Sequence, residues 1–249
     1  MSAGVDVRVG QTLARAGLYR LLGRAFGYPT GAVLEELAEL ADRLVEAPAI
    51  APPIRALLGQ FATSAREADP ATVADEYVFL FDRQVACPPY ESAYGSAPQM
   101  AGKSAQLADV AGFLTAFGLA TAATRSDIED HIAAELEFMS VLALKEAYAV
   151  AEGHAEGLEV VRPAERAFLG DHLGRWAEAF ARDLRGATPL PYYAAAAELL
   201  GVWIRADSEA LGLAPAVLDG PRASGPLEED TFTCPMVGST ADDERMGDG

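Results

Sequence analysis

The sequence is short of the residues that most directly announce chemistry. It has two cysteines, Cys87 and Cys234, which are 147 positions apart and belong to no C-x-x-C or zinc-ligand set, so a disulfide-built or zinc-built fold is not indicated and free thiols are the expectation. No H-E-x-x-H and no G-x-S-x-G occurs. Gly102-Lys103-Ser104 has the ending of a phosphate loop but lacks the first glycine at its spacing and has no strand leading in, so nucleotide hydrolysis is not supported. No uninterrupted apolar run approaches the roughly 18–20 residues of a membrane helix. The N-terminus has none of the three parts of a secretory leader, so the expected location is the cytoplasm.

Basic residues are also scarce. Lys and Arg number 19 against 37 Asp and Glu, a formal charge of −18. Such a field repels nucleic-acid phosphate and anionic lipid and attracts cationic ligands or peptides. Part of the excess is local, since residues 224–249 hold seven acids against the single Arg245. What the chain has in abundance is apolar: 51% of residues are hydrophobic, with Ala and Leu ahead of the β-branched residues that favour strands. The fold class is therefore all-α.

Periodicity predicts about eight helices, over 9–26, 32–46, 53–64, 72–82, 103–117, 127–152, 164–184 and 192–207. In the first, Leu13, Ala16, Gly17 and Leu21 share a face while Arg15, Arg20 and Arg24 lie mostly on others. Residues 82–102 hold Pro88, Pro89, Gly95, Pro98 and Gly102, which predicts a long irregular loop of the kind that tends to carry function. Ser126-Asp127-Ile128-Glu129 has the form of a capping box and is expected to open the longest helix. Gly153 to Pro163 reads as a linker. Residues 1–212 form one bundle-like domain in this reading, and 213–249 an acidic, largely disordered tail.

The chain centres on residues 75–94. An aromatic, apolar helix end (Tyr77, Phe79, Leu80, Phe81) runs into Cys87-Pro88-Pro89-Tyr90, where neither proline can donate a main-chain N–H. An aromatic helix end followed by a stiff loop suits binding better than bond-making. His131 and Glu135, four apart on a helix, with His172 further on, could instead ligate a metal or act as an acid/base set. His154, on a glycine-flanked linker, is expected at the surface. Thr231 to Met236 is a small apolar island in an acidic surround, a candidate for docking into the chain's own client groove.

Four patterns in order, Glu76-Tyr77-x-x-Leu80-Phe81, Pro88-Pro89-Tyr90-Glu91-Ser92-x-Tyr94, Asp130-His131-Ile132-x-x-Glu135-Leu136-Glu137-Phe138-Met139 and Phe168-Leu169-x-x-His172-Leu173-x-x-Trp176, resemble the TorD/DmsD/NarJ family of redox-enzyme maturation chaperones. The resemblance covers roughly residues 10–205. It implies an all-helical cytoplasmic chaperone without catalytic activity or a cofactor of its own, serving a molybdenum-cofactor oxidoreductase. The partner it implies is the client apoprotein or its twin-arginine leader, held until cofactor insertion is complete. Leader binding in the family is associated with the Pro-Pro-aromatic loop and the Asp-His pair, which match Pro88, Pro89, Tyr90, Asp130 and His131. Asp127 and Glu129 depart from the usual Glu-x-Pro-Asp-His form.

A leader with a basic and an apolar region needs carboxylates beside an apolar groove. The expected carboxylates are Asp130, Glu135 and Glu91, and the expected apolar wall is Tyr77, Leu80, Phe81 and Tyr90, with Ser92 in the same loop. The other readings kept open are a helical metal-dependent enzyme using His131, Glu135 and His172, and a generic helical scaffold. Binding of nucleic acid or stable membrane insertion is not expected. The assembly expected is a monomer or a helix-exchanged dimer.

Overall fold

A computed structural model describes residues 3–95, 100–119 and 129–220. Within them the chain forms nine α-helices and no sheet: α1 (Ala3–Ala25), α2 (Gly31–Val45), α3 (Pro52–Glu67), α4 (Pro70–Tyr77), α5 (Met100–Ala116), α6 (Ile132–Glu152), α7 (Ala155–Phe168), α8 (Gly174–Ala187) and α9 (Pro191–Ala210). The all-α expectation holds. Helix packing runs in the order α6, α1, α2, α3, α9, α8, with α7 lying against α6.

Helix starts follow local chemistry. The side chains of Thr30 and Asp69 accept from the backbone N–H three residues on, and prolines at the first turns of α3, α4 and α9 occupy positions whose N–H would be unpaired in any case. The closest helix pair is α1 with α6. Gly23 permits that approach, because a Cβ there would lie 3.0 Å from Glu137 Cγ and 3.2 Å from the Ala133 carbonyl. A larger side chain at 23 would push the two helices apart.

Several boundaries differ from the sequence expectation. The segment 153–163 is not a linker. Gly153, at φ 65°, ends α6, and His154 then caps α7 by accepting the Gly157 N–H on Nδ1, so the chain turns back into helix at once. Pro163 sits inside α7 on its exposed side, where the carbonyl it leaves unpaired can face water. His154 is exposed, as expected for a surface position. Helix α6 starts at Ile132 rather than 127, and its N-cap is His131. The first three residues of the Ser126 capping box lie outside the described residues. At 21 residues α6 is shorter than α1, which has 23.

Two helices widen by one residue per turn, at Val78–Asp82 after α4 and at Leu169–Leu173 between α7 and α8. The second depends on Gly174, where a Cβ would fall 2.4 Å from the Leu169 carbonyl oxygen and 2.8 Å from Pro215 Cγ. No other residue fits there. Such wide turns recur at functional sites, and both of these carry residues of the candidate site.

Arg15, expected mostly off the apolar face of α1, is instead largely enclosed among acids. Its Nε donates to both Asp207 oxygens (2.8 and 3.0 Å) and Nη1 to Glu165 Oε1 (2.6 Å), while the Tyr19 hydroxyl donates to Asp207 Oδ2 at 2.6 Å. This cluster ties α1 to α7 and α9. Burial, with Glu146 and Asp207 adding to it against the attraction of Arg15, pushes the Glu165 carboxyl up to about 7. Arg20 and Arg24 are the exposed or half-exposed ones.

Residues 213–220, assigned to the tail in the sequence reading, run as an extended strap. The Leu218 N–H donates to the Arg175 carbonyl (2.7 Å), the Gly95 N–H donates to the Asp219 carbonyl (3.1 Å), and Leu218 packs on Gly95. The apolar island at 231–236 lies outside the described residues, as does Cys234.

Candidate functional site

The Pro-Pro loop and the start of α6 are joined directly. Tyr90 and His131 form an antiparallel bridge, in which the Glu91 N–H donates to the Asp130 carbonyl (2.9 Å) and the Ile132 N–H to the Pro89 carbonyl (2.8 Å). Asp130 Oδ2 also accepts the Ser92 N–H at 3.0 Å, at the start of a short 3₁₀ turn over Glu91–Ala93. The Tyr90 and His131 rings meet edge to face at 5.3 Å, and His131 Nδ1 accepts the Ala133 N–H as the α6 cap. Proline suits this loop because its carbonyl accepts while no N–H is needed. Segments forty residues apart thus form one wall.

The predicted residues divide by burial. Tyr77, Pro88, Tyr90 and Ser92 are half-buried and reach the surface. Leu80, Phe81 and Pro89 are buried. Phe81 meets Phe180 and Tyr193 at ring-centroid distances of 6.2 and 5.7 Å, so it anchors the wide turn in the core and does not line a groove. Glu91 and Glu135 are 0% and 1% exposed, and Asp130 is 2% exposed, so the three carboxylates expected to face a basic peptide are interior groups. The sequence reading had the proximity and missed the depth. The apolar surface that does reach solvent here includes Phe79, and Val85, a β-branched residue at φ 48° on the loop that follows.

The buried carboxyls belong to a polar knot that the sequence did not reveal. His172 Nδ1 lies 3.1 Å from Glu91 Oε2, and the Trp176 indole N–H donates to Glu135 Oε2 at 3.0 Å. His172 Nε2 faces Asp109 Oδ2 on α5 at 3.4 Å. Each glutamate leaves Oε1 without a hydrogen-bond donor, and a proton held between the two carboxyls would satisfy both. Burial, reinforced by the Glu91 charge, pushes Glu135 well above the usual carboxylate range, and the indole hydrogen bond only partly opposes this. At His172, burial favours the neutral ring, but the bond to Glu91 and the charges of Glu91, Asp109 and Asp171 together raise its pKa. The only sequence signal for the knot is the i, i+4 spacing of His172 and Trp176. Their pairing with Glu91 and Glu135 needs the tertiary fold.

A three-ligand metal set does not form. His131 Nδ1 is occupied as a cap, Glu135 bonds Trp176 and His172 faces Glu91, and among the described residues no group of three or more His, Cys, Asp or Glu is arranged to hold a metal ion. Cys87 is fully buried, and burial pushes its thiol up to about 12, which removes it as a nucleophile at neutral pH. No helix among the described residues is long and apolar enough to cross a membrane.

Fold and site together define an all-helical protein with a loop-built surface wall fastened to a sealed acid–histidine–tryptophan knot. A family model described as nitrate reductase delta subunit matches residues 47–182, more than half of the chain, and the protein belongs to that family. The curated chaperone protein TorD of Vibrio cholerae serotype O1 (strain M66-2) is 30% identical over 134 residues, 54% of this chain and 59% of its own length. TorD of Photobacterium profundum is 30% identical over 132 residues, 53% of this chain and 59% of its own length. TorD of Aeromonas salmonicida (strain A449) is 29% identical over 148 residues, 59% of this chain and 64% of its own length. The chain thus spans about six tenths of the length of the curated relatives it matches.

Proposed function

We propose that this protein is a cytoplasmic chaperone that binds the apoprotein of a molybdenum-cofactor oxidoreductase, through its twin-arginine leader, and holds it until the cofactor is inserted. The observation that carries the reading is the bridge between Tyr90 and His131, which gives the Pro-Pro loop a fixed place beside the start of α6 in a chain related to TorD chaperones. Pre-ordering a recognition loop lowers the entropic cost of binding.

In this reading the contact surface is the half-buried layer of Tyr77, Pro88, Tyr90 and Ser92, extended by the exposed Phe79, with His131 buried directly behind Tyr90. Leu80, Phe81, Pro89, Asp130, Glu91 and Glu135 act beneath it as supports that fix the position of the loop. Attraction of a basic leader then comes mainly from the overall −18 charge, with no buried carboxylate pairing to an arginine. Steering of this kind acts on the association rate and weakens with salt.

The test is calorimetry of the full chain with a twin-arginine leader peptide and its Lys-Lys counterpart, alongside identification of proteins that co-purify with the chain. The reading expects preference for the arginine form, a molybdoenzyme among the captured proteins, and at least tenfold weaker leader binding in Tyr90→Ala. Equal binding of the two peptides, with no effect of Tyr90→Ala, would refute it.

A further inference from the structure

A large cavity lies away from the Pro-Pro loop. It is an open groove of about 700 Å³ between α3, the start of α4 and the start of α9. Its apolar lining comes from Ala56, Val73, Leu190 and Tyr192.

Gly59 also lines it, in the middle of α3. A Cβ built there meets nothing within 4 Å. Glycine within a helix costs stability relative to alanine, and no close helix approach calls for it here. Its lack of a side chain leaves the groove open.

The charge around the groove has one sign. Glu67 and Asp69 line it where α3 ends and α4 begins, and among the described residues no Lys or Arg does. The last carbonyls of α3 add partial negative charge at that end. Arg66, just before Glu67 in sequence, does not line the groove and pairs with Asp42 on α2. Asp69 bonds the Thr72 N–H (2.9 Å) and hydroxyl (2.7 Å) as the α4 cap, which fixes its carboxylate at the rim.

We propose that the groove between α3, α4 and α9 is a second docking site, taking a short segment of a partner protein that is apolar on one side and carries Lys or Arg at the end nearest Glu67 and Asp69. An acidic occupant is disfavoured by the rim charge. Helix α4 carries Val73 in this groove and Tyr77 on the candidate wall one turn later, so two segments of one client can be held side by side. Joining two modest contacts in this way raises overall affinity through effective concentration.

The inference extends the chaperone reading, and the two can fail separately. The probe is a labelled 14-residue amphipathic Leu/Lys peptide, titrated by fluorescence anisotropy against the full chain in moderate salt, with a Leu/Glu peptide of the same pattern as control. Binding of the Leu/Lys peptide should weaken at least tenfold in Gly59→Phe, which fills the groove without adding charge. Ala56→Trp should do the same and guards against a folding defect in the first variant. Asp69→Asn with Glu67→Gln should weaken binding about threefold or more and flatten its salt dependence, while the asparagine keeps the cap. Tyr90→Ala should leave it unchanged, and Gly59→Phe should leave the Arg-over-Lys preference of leader peptides intact. Four results would each overturn the inference: unchanged Leu/Lys binding in both filling variants, equal binding of the Leu/Glu peptide, tighter binding after truncation at Gly220, which would make the chain's own tail the occupant, or a dimer that Gly59→Phe converts to monomer.

Discussion

Glu135→Gln should make the fold less sensitive to rising pH. Glu135 is 1% exposed and its carboxyl is raised well above the ordinary range by burial, then by the Glu91 charge. A carboxyl whose folded pKa lies above its unfolded value of about 4.3 contributes stability that is complete below that value and is lost as pH rises toward the folded pKa. Within that window each pH unit removes about 1.4 kcal/mol per such group. Glutamine has nearly the same shape, its carbonyl can accept the Trp176 indole N–H now bound at 3.0 Å, and its amide can donate to Glu91. The substitution therefore keeps the hydrogen bonds and removes the proton that must be retained. Urea unfolding at pH 6, 7 and 8 is the assay. The slope of stability against pH should become less negative in the variant, by at most about 1.4 kcal/mol per unit, with the remaining slope coming from His172 and Glu165, whose folded values are also raised. An unchanged slope, with both proteins folded at pH 6, would show that Glu135 does not hold a proton in the knot.

Two further variants probe the turns that shape the site. Gly174→Ala should destabilise the protein by roughly 3 kcal/mol or more, because the new Cβ meets a backbone oxygen 2.4 Å away in a turn that cannot relax locally; denaturant midpoints measure this, and a loss below about 1 kcal/mol would mean that the wide turn is not required. Val85→Asn should raise stability by about 1 kcal/mol, since asparagine tolerates the positive φ of 48° that a β-branched residue resists. Thermal unfolding would show an upward shift, whereas a fall would mean that Val85 packs usefully where it stands.

Much of the fold was open to reading because helix formation and its punctuation are local. The Leu34, Leu37, Leu40 and Leu44 spacing of α2, three of which are buried, and the prolines at 53, 70 and 191 mark elements without reference to anything distant. Where the reading failed, one cause was local punctuation and the other was a distant partner. Segment 153–163 resembled a linker because of Gly153 and Pro163, but one is a helix terminator with a capping histidine behind it and the other stands on a solvent face. Arg15 followed the same periodicity as Arg20 and Arg24, and only the arrival of Glu165 and Asp207, 150 and 192 positions away, made its burial favourable.

At the candidate site, the sequence alone determined the stiff loop, its aromatic approach and the Asp130-His131 pair, because proline geometry and residue type are properties of short segments. The tertiary structure decided that Tyr90 meets His131 and that Glu91 and Glu135 are interior groups bound to His172 and Trp176. Whether a carboxyl faces water or a neighbour eighty positions away depends on how whole helices pack, and no local pattern of residues encodes that.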